Sequence, residues 1–145
     1  MFKFNLQPLL NHRRYLEEVM QKELAQSRKR LTAEQNKLRS LKEKKREYSQ
    51  RLQQRQKVNG TVSELILYLR YIDRLSTELE RQHRQVIVAE KDFKTKRKDL
   101  IEIMKKRKVL EKLKENRLKA YRQQMLKHER KFMDEVAAKQ FISKS

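Results

Sequence analysis

Cysteine and tryptophan are absent from this 145-residue chain, and glycine and proline occur once each, as Gly60 and Pro8. Without cysteine there is neither a disulfide framework nor a thiolate metal site, which fits a reducing compartment. A single glycine cannot build the loop of successive free backbone amides that surrounds a nucleotide's phosphates. His12, His83 and His128 lie far apart in sequence, and none has a His or Cys neighbour at metal-ligand spacing. Neither a metal nor any other cofactor is therefore expected. Long apolar runs are missing as well: the richest window, residues 62–69, contains Glu64 and falls well short of the roughly 20 residues of a membrane helix. The first twenty residues carry Lys3, Arg13, Arg14, Glu17 and Glu18, which leaves no signal-peptide stretch, so the expected location is the cytoplasm.

Charge is what the chain has instead. Of its residues 40% are charged and 37% hydrophobic, the mean hydropathy is -1.07, and the formal charge is +20. That composition leaves enough apolar material for a thin seam but not for a thick core. Its prevalent types, Leu, Lys, Arg, Glu and Gln, lose little rotamer freedom in a helix, which favours long helices over disorder. The positive balance points to an acidic partner without distinguishing a nucleic acid, a membrane surface or an acidic protein groove.

Alternating steps of three and four from Leu24 reach Ser27, Leu31, Glu34, Leu38, Leu41, Lys45, Tyr48 and Leu52, a heptad seam. Upstream, Leu6, Leu9, Leu16 and Met20 have similar spacing, and the four-four step Leu16–Met20–Leu24 predicts a local frame shift. Pro8 suits a first helical turn, so the helix is expected to start near Gln7 and to run over about 7–57. A turn is expected at about 58–61, where Asn59 and Gly60 tolerate positive φ and Thr61-x-x-Glu64 can form a capping box. A second helix follows over about 62–141. In it the series Leu65, Ile72, Leu79, Val86, Phe93 and Leu100 is apolar at every heptad, accompanied by Tyr68, Leu75, Ala89, Ile103 and Leu110. Past Leu110 that register meets Lys114 and Arg117, and a new one takes over through Leu118, Tyr121, Met125, Phe132 and Val136.

The fold class expected is all-α: two long helices in an antiparallel coiled-coil hairpin, forming one domain over 1–145. Two chains pairing as straight helices would be the other arrangement, against which the Asn59–Gly60 break argues. A hairpin that turns near residue 60 leaves everything after about residue 114 overhanging, and an apolar stripe without a partner helix suggests a docking site. The adjacent acids Asp134 and Glu135 point about 100° apart on a helix, and a thin hairpin provides no dry pocket in which to tune them, so catalysis is not expected. The basic clusters Lys44-Lys45-Arg46, 94–98 and 105–108 read as solvated helix faces in preference to a nucleic-acid footprint.

Lys3-Phe4-x-Leu6-x-x-Leu9-Leu10-x-x-Arg13, Leu110-Glu111-Lys112-Leu113 and Glu129-Arg130-Lys131-Phe132-Met133-Asp134-Glu135-Val136-Ala137 resemble the terminal and distal patterns of the flagellar export protein FliJ family. The resemblance covers nearly the whole chain, with no fixed motif in its Lys- and Arg-rich middle. It implies a non-enzymatic component of the flagellar type III export apparatus, similar to the central stalk of rotary ATPases. Such a protein would insert into the ring of the export ATPase FliI, contact the membrane export gate FlhA, deal with substrate chaperones, and be peripheral to the inner membrane. On that reading the ring contact is expected at Tyr121, Met125, Arg130, Lys131, Phe132 and Val136, and the gate contact at Leu41, Tyr48, Tyr71 and Leu75. A general coiled-coil scaffold, which would self-associate, and a basic helical nucleic-acid binder, which would show steep salt dependence, are the alternatives.

Overall fold

The computed structural model describes residues 1–57 and 60–144, the last of these by its backbone alone. Val58 and Asn59 of the expected turn lie outside the described residues. Two α-helices, α1 (Gln7–Lys57) and α2 (Val62–Lys144), make up nearly all of it, with no strand among the described residues. The fold is an all-α helical hairpin in which the two helices pack on each other. Pro8 occupies the first turn of α1, where its missing N–H leaves no bond unmade. The entry is fixed by Gln7 N–H donating to the Phe4 carbonyl at 3.0 Å.

The start of α2 is held by the Thr61 hydroxyl, which accepts the Glu64 N–H at 3.3 Å. This is the forward half of a capping box; the Glu64 carboxylate instead lies 3.7 Å from the Arg55 guanidinium. Gly60 corrects an expectation, because its φ lies outside the positive region. What favours glycine there is space. Its N–H donates to the Arg55 carbonyl at 3.1 Å, and a Cβ would sit 3.2 Å from that same oxygen.

The chain groups into two compact units, one of residues 19–100 and one of 1–18 with 101–145. In the first, Leu75, Val86, Ala89 and Leu100 are buried, and every other seam position predicted between Leu24 and Phe93 is at least half-buried. Two polar seam positions of α1 find partners on α2. Ser27, 4% exposed, donates its hydroxyl to the Asp92 carboxylate at 2.9 Å, and Gln82 donates its side-chain amide to the Glu34 carbonyl at 2.9 Å and to the Glu34 carboxylate. Packing and hydrogen bonding thus use the same stripe, and a slip in register would strand buried polar atoms.

In the second unit Phe4 and Leu10 are buried, Leu10 at 0% exposure. Glu17 is also buried, and it accepts from the Arg107 guanidinium, which donates to Glu111 at 2.8 Å; Arg14 reaches the other Glu111 oxygen at 3.3 Å. This cluster removes the predicted frame shift. The seam of α1 steps through Leu10, Arg13, Glu17, Met20, Leu24 and Ser27 in unbroken threes and fours, each at least half-buried, while Leu9 is exposed. Counting apolar residues alone skipped Arg13 and Glu17, so the exposed Leu9 and the half-buried Leu16 beside Glu17 were read in their place.

Two carboxylates in these contacts, Asp92 and Glu111, are held below their ordinary values. For Asp92 the Ser27 hydrogen bond is the main cause and Lys96, at 3.3 Å, the next. For Glu111, burial acts upward, but bonds and charges from Arg107 and Arg14 more than offset it. A depressed folded-state pKa contributes stability that is present above the unfolded value and lost as pH falls through the folded one. Thermal melts should therefore hold steady from neutral pH down to about 4.5, the ordinary value for Glu111, and fall below it. Ser27→Ala should make the acid fall shallower; an unchanged slope would remove Ser27 from the account.

Candidate functional site

Beside the turn, three tyrosine rings meet. Tyr48 of α1 lies 4.4 Å from Tyr71 and 6.2 Å from Tyr68 between centroids, with interplanar angles of 54° and 49°. The register places them there: Tyr48 and Tyr68 are predicted seam positions, and Tyr71 flanks Ile72. All three are only half-buried, because a two-helix seam has no third element to cover a ring as broad as tyrosine. The Arg51 guanidinium lies over the Tyr48 ring, 5.1 Å from its centroid. With Arg55, Glu64 and the exposed Leu67, these side chains line an open cleft. The structure therefore brings together two of the residues expected at the gate contact, Tyr48 and Tyr71. Leu41, two turns before Tyr48, is half-buried, and Leu75, at 3% exposure, packs inside the seam.

The carboxy-terminal part of α2 shows the opposite pattern. Tyr121 is half-buried, its ring 5.6 Å from that of Phe2, and the Arg117 guanidinium lies 5.5 Å from the Phe4 ring centroid. From Arg122 to Ser143, every side chain except the half-buried Val136 is exposed. Phe132 at 64% and Met133 at 67% are large apolar groups in water, with Met125 and Leu126 one heptad earlier. Met125, Phe132 and Val136 are separated by seven and four residues, and so form one stripe; Leu126 and Met133 form a second beside it. Arg130 and Lys131 are exposed. Of the residues expected at the ring contact, Tyr121 is thus engaged by the chain's own Phe2, and the others except Val136 stand in solvent.

Several surface residues escaped the sequence reading. Leu126 and Met133 were legible, each following a predicted stripe residue by one position. Tyr68 was read as a seam position alone, and it forms a cleft with Arg51, Arg55 and Leu67 only through pairing across the turn, which no linear pattern displays. Asp134 and Glu135 are both exposed, as are His12, His83 and His128. Among the described residues no group of three or more His, Cys, Asp or Glu is placed to hold a metal ion, and no helix is long and apolar enough to cross a membrane. What these surfaces can do is bind: one offers apolar side chains along a helix, the other aromatic rings beside guanidinium groups.

A protein-family model described as Flagellar FliJ protein matches residues 2–145. No curated protein and no solved structure matches the chain.

Proposed function

Because the chain belongs to the flagellar FliJ protein family, and so is a component of the flagellar export apparatus, we propose that it is the non-enzymatic adaptor between the export ATPase FliI and the export gate FlhA. The observation that carries this reading is the exposed double stripe Met125, Leu126, Phe132 and Met133 on a regular helix. Large apolar groups held at helical spacing are the means by which an amphipathic helix enters a hydrophobic groove. Arg130 and Lys131 flank the stripe and would steer it toward an acidic surface. In this reading FliI's ring receives the stripe, with Val136 alongside, and Tyr121 positions the helix through its contact with Phe2. FlhA meets the turn side through Tyr48, Tyr71 and Leu41, with Leu75 fixing the seam beneath them; substrate chaperones are further partners. The protein would work in the cytoplasm, peripheral to the inner membrane.

The mechanism is allosteric. The adaptor binds an assembled ring more tightly than free ATPase subunits, so it shifts the equilibrium toward the ring while hydrolysis stays in the partner. The test is the turnover and oligomeric state of FliI with and without this protein, at moderate salt, using a charge-matched unrelated helical hairpin as control. Ring formation and raised turnover with this protein alone are expected. Equal stimulation by the control would reduce the effect to charge and sink the reading.

A further inference from the structure

We propose that the cleft beside the turn, between Tyr48, Arg51 and Arg55 of α1 and Leu67, Tyr68 and Tyr71 of α2, binds an acidic linear peptide that carries an aromatic or aliphatic anchor. This deepens the gate-side reading and rests on it only for where the peptide comes from.

Apolar recognition comes from the floor. The three tilted rings hold one another in place, so their exposed edges and faces are presented at little further entropic cost, and Leu67, 65% exposed, forms an unpartnered lip. Charge recognition comes from the two arginines. The guanidinium of Arg51 lies over the Tyr48 ring, 5.1 Å from its centroid, and a cation–π contact of this kind does not use up the N–H donors that a carboxylate needs. Arg55 has only a loose ion pair with Glu64, 3.7 Å apart with both side chains about half-exposed, so an incoming carboxylate in bidentate geometry competes with it. Two cations face one acid in the cleft of a chain with charge +20, so the complementary partner is acidic.

Glu64 decides between classes of acidic partner. Its carboxylate at the edge of the cleft accepts an N–H from a peptide backbone, a donor that a phosphodiester backbone lacks, and the aliphatic lip has no counterpart in a nucleotide. A peptide therefore fits better than a single nucleic-acid strand, although aromatic rings and arginines would otherwise suit one.

The test uses the full chain and fluorescein-labelled synthetic peptides, read by anisotropy. The probe is Glu-Asp-Trp-Glu-Asp between Gly-Ser flanks. It is compared with the same peptide bearing Ser for Trp, with Lys for its acids, and with an oligothymidylate of matching charge. The acidic tryptophan peptide should bind saturably, and the double variant Arg51→Gln, Arg55→Gln should weaken it about tenfold or more with unchanged helicity, since two charge-assisted contacts are removed. Tyr68→Ala should weaken it several-fold. Equal binding of the Ser peptide would reduce the effect to charge, and tighter binding of the oligothymidylate, lost in the same variants, would make this a nucleic-acid site; either overturns the proposal, as does undiminished binding by the arginine variant. The cytoplasmic region of FlhA in the same assay separates the two readings. If it binds while the peptide does not, the inference falls and the gate reading stands. If the peptide binds through the arginines and FlhA does not bind at all, the inference stands and the gate reading falls.

Discussion

Replacing Phe132 and Val136 together by alanine should remove most of the affinity for the ATPase ring while leaving the helical signal nearly unchanged. Phe132 is mostly in water, so truncating it takes almost no packing away from the free protein. Alanine is also a better helix former than phenylalanine or valine, which offsets what Val136 loses by its partial burial. If the stripe is seated in a groove, each anchor is worth about 2 kcal/mol in the complex, and the pair should weaken binding roughly 1,000-fold. Co-sedimentation with the ring and stimulated ATPase turnover measure the loss, and circular dichroism reports the fold. A lower melting temperature with binding intact would show instead that these two residues hold the helix and not the partner.

Leu10→Ala should be the most costly single truncation at the amino-terminal end of α1, at about 2–3 kcal/mol. Leu10 is the largest side chain described as fully buried. The expected cost lies toward the low end for buried leucine because a two-helix seam can close partly over the gap, and because alanine favours helix. Leu9→Ala is the matched control. At 40% exposure its loss should stay within about 0.5 kcal/mol, so the neighbouring leucines should differ several-fold in effect. Hydrogen exchange should quicken in residues 1–18 and in the part of α2 they pack against. Equal destabilisation by the two substitutions would contradict the seam that runs through Leu10, Arg13 and Glu17.

Those two leucines also mark where the sequence could be read and where it could not. Helix type and the seam of α2 were visible because Leu, Ile, Val and Phe recur every seven residues from Leu65 to Leu100, and burial follows that pattern. The seam of α1 was visible from Leu24 onward for the same reason. It was misread before Leu24 because a buried glutamate looks like a surface residue until its arginine is seen, and Arg107 lies 90 positions away in the chain. The turn was legible as a break, but the reason for Gly60 was not: its proximity to the Arg55 carbonyl is a distance, and only the folded backbone sets it. The carboxy-terminal stripe was legible because its helical spacing continues past the length that a hairpin turning near residue 60 can pair. The cleft of tyrosines and arginines was not, since its two walls come from different helices.

The thinness of the seam has a thermal consequence. Among the described residues six apolar side chains are buried, and the rest of the seam is partly in water already. Melting such a structure newly wets little hydrocarbon while freeing a large helical backbone, and polar exposure lowers the heat capacity that apolar exposure raises. The heat-capacity increment should therefore fall below the usual figure of about 12–15 cal/mol/K per residue. A small increment flattens the stability curve. The hairpin would then hold a modest margin over a broad span of temperatures, so a protein with scarcely any interior gains tolerance of both warming and cooling from that lack.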